Sequence, residues 1–112
     1  MNAPVLNRRL VLEEAQRVAD GAGGYGTVWA GLGVLWGEIR PGGGSEREGE
    51  GVTLSRARYR IVVRAAPPGA PSRPRPDQRL REGARVFRIT AVTELDRHAR
   101  YLVCHAEEEV VA

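Results

Sequence analysis

The sequence predicts an all-β fold: a small antiparallel β-barrel of about five to six strands, with long flexible loops at 41–53 and 66–78. Three observations lead there. Arg56, Arg58, Arg60 and Arg64 alternate with Ala57, Tyr59, Ile61 and Val63, the period-two pattern of a strand with one apolar and one basic face. A glycine reversal, Gly21-Ala-Gly-Gly-Tyr-Gly26, follows Asp20 and leads into a long run rich in Val, Trp, Leu and Ile. The apolar segments are short, and clusters of Gly, Pro, Asp and Ser separate them.

In chain order, residues 8–17 have helix-forming side chains. The Leu10-Val-Leu12 centre and the glycine turn beyond it favour the first arm of a hairpin instead. Residues 20–40 form its second arm and hold both tryptophans, Trp29 and Trp36. Seven residues apart, these would face opposite sides of an unbroken strand. A bulge or bend at Gly31 or Gly33 is expected to bring both indoles into one core. Pro41 to Gly51 is too rich in glycine and charge to bury anything. The arginine strand spans 54–65, and five prolines keep 66–78 out of any central strand. Two more strands, 84–93 and 100–106, flank a turn at Glu94-Leu-Asp-Arg-His98. The expected core is Trp29, Trp36, Tyr59, Ile61, Phe87 and Ile89.

At 112 residues the chain has the length of one domain, taken as 1–112. Its formal charge is +3, and all 17 basic residues are arginine, which fits a G+C-rich genome better than selection for guanidinium chemistry. Cys104 stands alone, so no internal disulfide forms. No apolar run approaches the roughly 20 residues of a membrane-spanning helix, and the N-terminus lacks the order of a signal peptide. A soluble, cytoplasmic chain without membrane contact is the expectation.

Residues 21–26 fit the dinucleotide-binding pattern GxGxxG by letter, but a tryptophan strand follows where a helix N-terminus is needed. His98, Cys104 and His105 are the only soft metal ligands, and the adjacent Cys104 and His105 point to opposite faces of a strand. No serine has a nucleophile's surroundings and no carboxylate pair stands out. Neither an enzyme nor a cofactor is expected. The arginine row Arg56, Arg58, Arg60 and Arg64 fits a solvated face, a lining that tracks DNA phosphates, or a contact with acidic groups of a neighbouring subunit. A PxxP match at Pro71-Ser-Arg-Pro74 reads as a spacer.

Taken together, these pieces resemble the head–tail adaptor or head-closure (stopper) proteins of long-tailed phages. Leu6-Asn-Arg-Arg9 with Leu10-Val-Leu12 is similar to that family's opening strand. Asp20-Gly-Ala-Gly-Gly-Tyr-Gly with Trp29 resembles its aspartate–glycine turn and following tryptophan. Trp36-Gly-Glu-Ile-Arg-Pro41 and Gly44-Ser-Glu46 look like its next segment, with Gly37 where the family pattern has alanine. Tyr59–Arg64, Gly83–Val92 and Arg100–Cys104 resemble its closing strands, while the proline-rich 66–78 is longer than usual.

The resemblance implies a ring, a hexamer rather than a dodecamer, in the neck of a virion or a gene-transfer-agent-like particle assembled in the bacterial cytoplasm. It implies an adaptor or portal ring on the head side, a tail terminator or tail tube on the other, and double-stranded DNA passing without sequence-specific contacts. A loop that closes the channel corresponds to Gly43, Gly44, Ser45, Glu46, Arg47, Glu48 and Glu50. The alternative is a free-standing nucleic-acid-binding barrel that uses its arginine face; an SH3-like peptide adaptor, with the tryptophans forming the groove, is a third possibility.

Overall fold

The computed structural model describes residues 3–42 and 57–109. Six strands follow one another: β1 (Arg8–Ala19), β2 (Tyr25–Pro41), β3 (Arg58–Arg64), β4 (Arg79–Glu82), β5 (Arg85–Glu94) and β6 (Tyr101–Glu108). All neighbours are antiparallel, and the order β1-β2-β3-β6-β5-β4 closes on itself as a barrel. β4 was hidden in the sequence because Arg79-Leu-Arg-Glu82 offers one apolar residue between charges. Its Leu80 is nevertheless fully buried, opposite Leu12 and Phe87.

The core is what the alternation of each strand delivers to the inside. Leu10, Leu12, Ile61, Val63, Leu80, Phe87, Ile89, Leu102 and Cys104 are fully buried in one cluster. Tyr59 is half-buried at its margin and meets the Phe87 ring edge-on, with centroids 5.5 Å apart. Burial pushes the Cys104 thiol up to about 12, so this cysteine behaves as a small apolar filler.

The two tryptophans correct the expected core. A bulge does occur where the glycines permit it: Leu12 pairs with Gly33 and Glu13 with Gly31, leaving Leu32 as the extra residue. It places both indoles on one face, since Trp36 pairs with Arg9 and Trp29 with Ala15. That face is the outer one, because Leu10 and Leu12, which alternate with those partners, point inward. Trp36 is 52% exposed. Trp29 is half-buried beneath the Arg79 guanidinium, 4.1 Å from its ring centroid. The extra Leu32 packs against the core in their place.

β1 and β2 outrun the barrel. Only Val11–Glu13 of β1 pair with β4, and only Gly37–Pro41 of β2 pair with β3. The far halves therefore project as a two-stranded arm, and the molecule measures 55 × 41 × 23 Å. At the arm's tip the Asp20 carboxylate accepts hydrogen bonds from the backbone N–H groups of Ala22 (2.8 Å) and Gly24 (3.0 Å). Gly21 and Gly23 there have φ of 82° and 88°, so the glycine motif is a hairpin tip.

Residues 66–78 are irregular as expected, but they are pinned rather than loose. Pro74 is fully buried, Arg73 donates to the Ala66 carbonyl (2.8 Å), and buried Gln78 accepts from the Arg75 backbone N–H (2.8 Å). The other expected loop, 41–53, lies outside the described residues beyond Gly42.

Gly37 sits where the wall is tightest. A Cβ there would stand 2.9 Å from Leu10 Cδ1 and 3.0 Å from the Val62 carbonyl oxygen. Urea denaturation should show Gly37→Ala losing about 1–3 kcal/mol through overpacking. In the same assay Phe87→Ala should lose about 3–5 kcal/mol, whereas Trp36→Ala should stay within about 1 kcal/mol of the parent.

Candidate functional site

Three surface features carry the outer wall. The first is the arginine row. β3 turns Arg58, Arg60 and Arg64 outward, interrupted by buried Val62. Across the β3–β6 ladder these residues face Glu107, His105 and Tyr101 in turn. Arg58 Nε lies 3.9 Å from Glu107 Oε2, and the Arg64 guanidinium sits 5.9 Å from the Tyr101 ring centroid. Arg60 has no carboxylate partner among the described residues, while His105 Nε2 pairs with Thr93 Oγ1 at 2.9 Å. A shallow groove runs along this face, lined by Gly42, Arg58, Arg60, Thr90, His105 and Glu107. Arg56 lies outside the described residues.

The second feature is the pair of feet from which residues 43–56 leave the barrel. The Gly42 backbone N–H donates to the Arg58 carbonyl at 2.8 Å, and a Cβ on Gly42 would lie 2.7 Å from that backbone. Both feet thus stand side by side at the Arg58 end of β3. Gly43, Gly44, Ser45, Glu46, Arg47, Glu48 and Glu50 themselves lie outside the described residues. The arm's tip is at the other end of the 17-residue β2, about 50 Å away at some 3.3 Å per residue.

The third feature is a set of ion pairs that sequence reading passed over. Glu13, 6% exposed, receives Arg79 Nε at 2.7 Å and Arg81 Nε at 2.8 Å, across the seam where β1 closes on β4. Arg8 binds Glu82 through two hydrogen bonds (2.6 and 2.7 Å), and Arg85 binds Glu108 the same way (2.8 and 3.0 Å). The signal for them was present in Arg79-x-Arg81 and in Glu13, charged positions at strand spacing, but only the closed ring brings them together. Burial pushes the Glu13 carboxyl up, but the hydrogen bonds from Arg81 and Arg79 outweigh it and hold it below the usual range. Glu82 and Glu108 are held down by hydrogen bonds from Arg8 and Arg85.

Among the described residues no three His, Cys, Asp or Glu side chains come together to hold a metal ion. The fold and its surfaces define a class: small closed barrels with a projecting arm and a charged wall. The model of the phage head completion protein family matches residues 1–109, and the chain belongs to that family. Among solved structures it is similar to a chain of the virion of a native gene transfer agent particle. That chain is 63% identical, the match covers 98% of this chain and all of that one, and the TM-score is 0.80. It also shares its fold with the solution structure of protein SF1141 from Shigella flexneri 2a, at 19% identity, full coverage of both chains and a TM-score of 0.71. No curated protein matches significantly.

The ion pairs set a pH dependence. Carboxyls whose native affinity for protons is depressed contribute stability above the ordinary glutamate value, about 4.3. That contribution is lost as the pH falls through the lower native values. Urea midpoints should therefore fall between pH 6 and pH 3, and Glu13→Gln should flatten that slope.

Proposed function

We propose that the chain forms a ring at the neck of a phage-like particle, beneath the portal and its adaptor. The ring continues the DNA channel towards the tail terminator or tail tube, and residues 41–53 close it after packaging. The observation that carries this reading is the family match over 1–109 together with the 63% identity to a gene transfer agent virion chain. The geometry supports it. A loop clamped at Gly42 and Arg58 has fixed feet at one end of the barrel, and its composition of Gly, Ser, Glu and Arg suits a plug that need not grip DNA. A six-copy ring, favoured over twelve, would carry about +18 formally from +3 per copy. Arginine and glutamate are intermixed along the sequence, and Arg58 lies beside Glu107 on the wall, so attraction to the duplex stays tunable and sensitive to salt. Passage of a genome requires contacts of that kind.

Replacing 43–50 with a short Gly-Ser linker should leave the thermal melt of the isolated chain unchanged, while particles assembled with it are empty. Particles that stay full would refute the plug assignment.

A second reading, a DNA-binding barrel acting alone, draws its support from Arg60, exposed without a carboxylate partner among the described residues. It requires salt-dependent duplex affinity from the monomer that falls steeply in Arg58→Glu, Arg60→Glu. The ring reading expects little monomer affinity in either form, and a filter-binding titration across salt concentrations separates the two.

A further inference from the structure

The described residues expose six large apolar side chains, and five of them belong to β1 and β2: Val18, Tyr25, Val28, Val34 and Trp36. They form two groups. Val34 and Trp36 lie on the outer wall at the arm's base, in register with Val11 and Arg9. Val18 and Val28 lie on one face of the arm, since Val28 pairs with Gln16 and Val18 with Gly26. Tyr25, 62% exposed, is on the arm's other face with the Arg17 guanidinium 4.2 Å above its ring.

Two physical facts mark the arm as incomplete in a free chain. Ala15–Ala19 and Tyr25–Val28 are all exposed, and a two-stranded ribbon open on both faces is marginal in water. Both backbone edges of the arm are also unpaired among the described residues, β1 beyond Glu13 and β2 before Gly37. Natural proteins blunt such edges with charge, yet β2 has no charged side chain from Tyr25 to Gly37.

Resting on the ring reading above, we propose that the arm of one copy lies on the wall of the next copy, with its Val18–Val28 face covering Val34 and Trp36. Both halves of this apolar pair are on one chain, but they cannot meet within it. Val28 and Val34 are six residues apart on the same strand, about 20 Å. Unlike patches on identical subunits make a head-to-tail contact, which repeats by rotation and closes a ring. With about 200 Å² for a free aromatic side chain and less for valine, the exposed parts of Val18, Val28, Val34 and Trp36 total roughly 300 Å² over the two faces. They supply an apolar centre to a contact in which two partners together bury ~1,600 Å².

The test is cross-linking in assembled particles with a short bis-maleimide. A chain carrying both Val28→Cys and Val34→Cys should give a ladder of oligomers up to the full ring, while either substitution alone gives monomers. Cys104 is buried and should not react. Dimers from Val28→Cys alone would mean a two-fold contact and overturn the proposal, as would cross-links to a protein of another mass. Absence of cross-links in particles whose necks contain the chain would overturn it and leave the head-completion reading standing. Necks that lack the chain altogether would overturn both. Independently, Val28→Asp should leave the melt of the free chain unchanged and lower its incorporation into particles at least tenfold. Normal incorporation would also overturn the proposal.

Discussion

Closing six strands into a ring depends on the last seam, and here that seam is narrow. β1 and β4 share three residue pairs, Val11–Arg81, Leu12–Leu80 and Glu13–Arg79. Inside, Leu12 and Leu80 complete the core. Outside, one nearly buried carboxylate is held between two guanidinium groups. An unpaired Glu13 in that position would leave a desolvated charge, and unpaired arginines would repel across β4. The Arg8–Glu82 pair adds a second clasp between the same strands.

With the ring closed, β2 becomes the spine of the molecule. Its last five residues pair with β3 in the barrel and end beside Arg58, and its first dozen pair only with β1, out to the tip of the arm. One continuous strand therefore sets the distance between the segment assigned to closing the channel and the arm assigned to the neighbouring copy. The bulge at Leu32 and the missing Cβ at Gly37 allow that strand to leave a tightly curved wall and run outward. The pinned 66–78 segment braces the arm's base, through Arg75 and Gln78 to Glu14.

Seven of the arginines fall into two groups that composition alone cannot separate. Arg8, Arg79, Arg81 and Arg85 are clasps, committed to carboxylates across neighbouring strands. Arg58, Arg60 and Arg64 remain on the outer wall beside the groove.

Much of this was legible in the sequence, for reasons of period and backbone chemistry. Alternation at 56–64, glycines after Asp20 and prolines through 66–78 act locally, so they announced the strands, the hairpin tip and the irregular segment wherever the chain went. The arginine row was legible for the same reason. Which face of β2 turned inward was not. Trp29 and Trp36 are the largest apolar residues present, yet the bulge put both on the outside, while modest Leu32 packed inward. β4 and its Glu13 clasp also stayed hidden, because a four-residue strand with one apolar side chain has no period of its own. Its identity as a strand comes from the β1 and β5 backbones on either side. Residue order thus determined where the chain extends and where it reverses. Closure of the ring alone decided inside from outside, since burial is a property of what surrounds a side chain and not of the side chain itself.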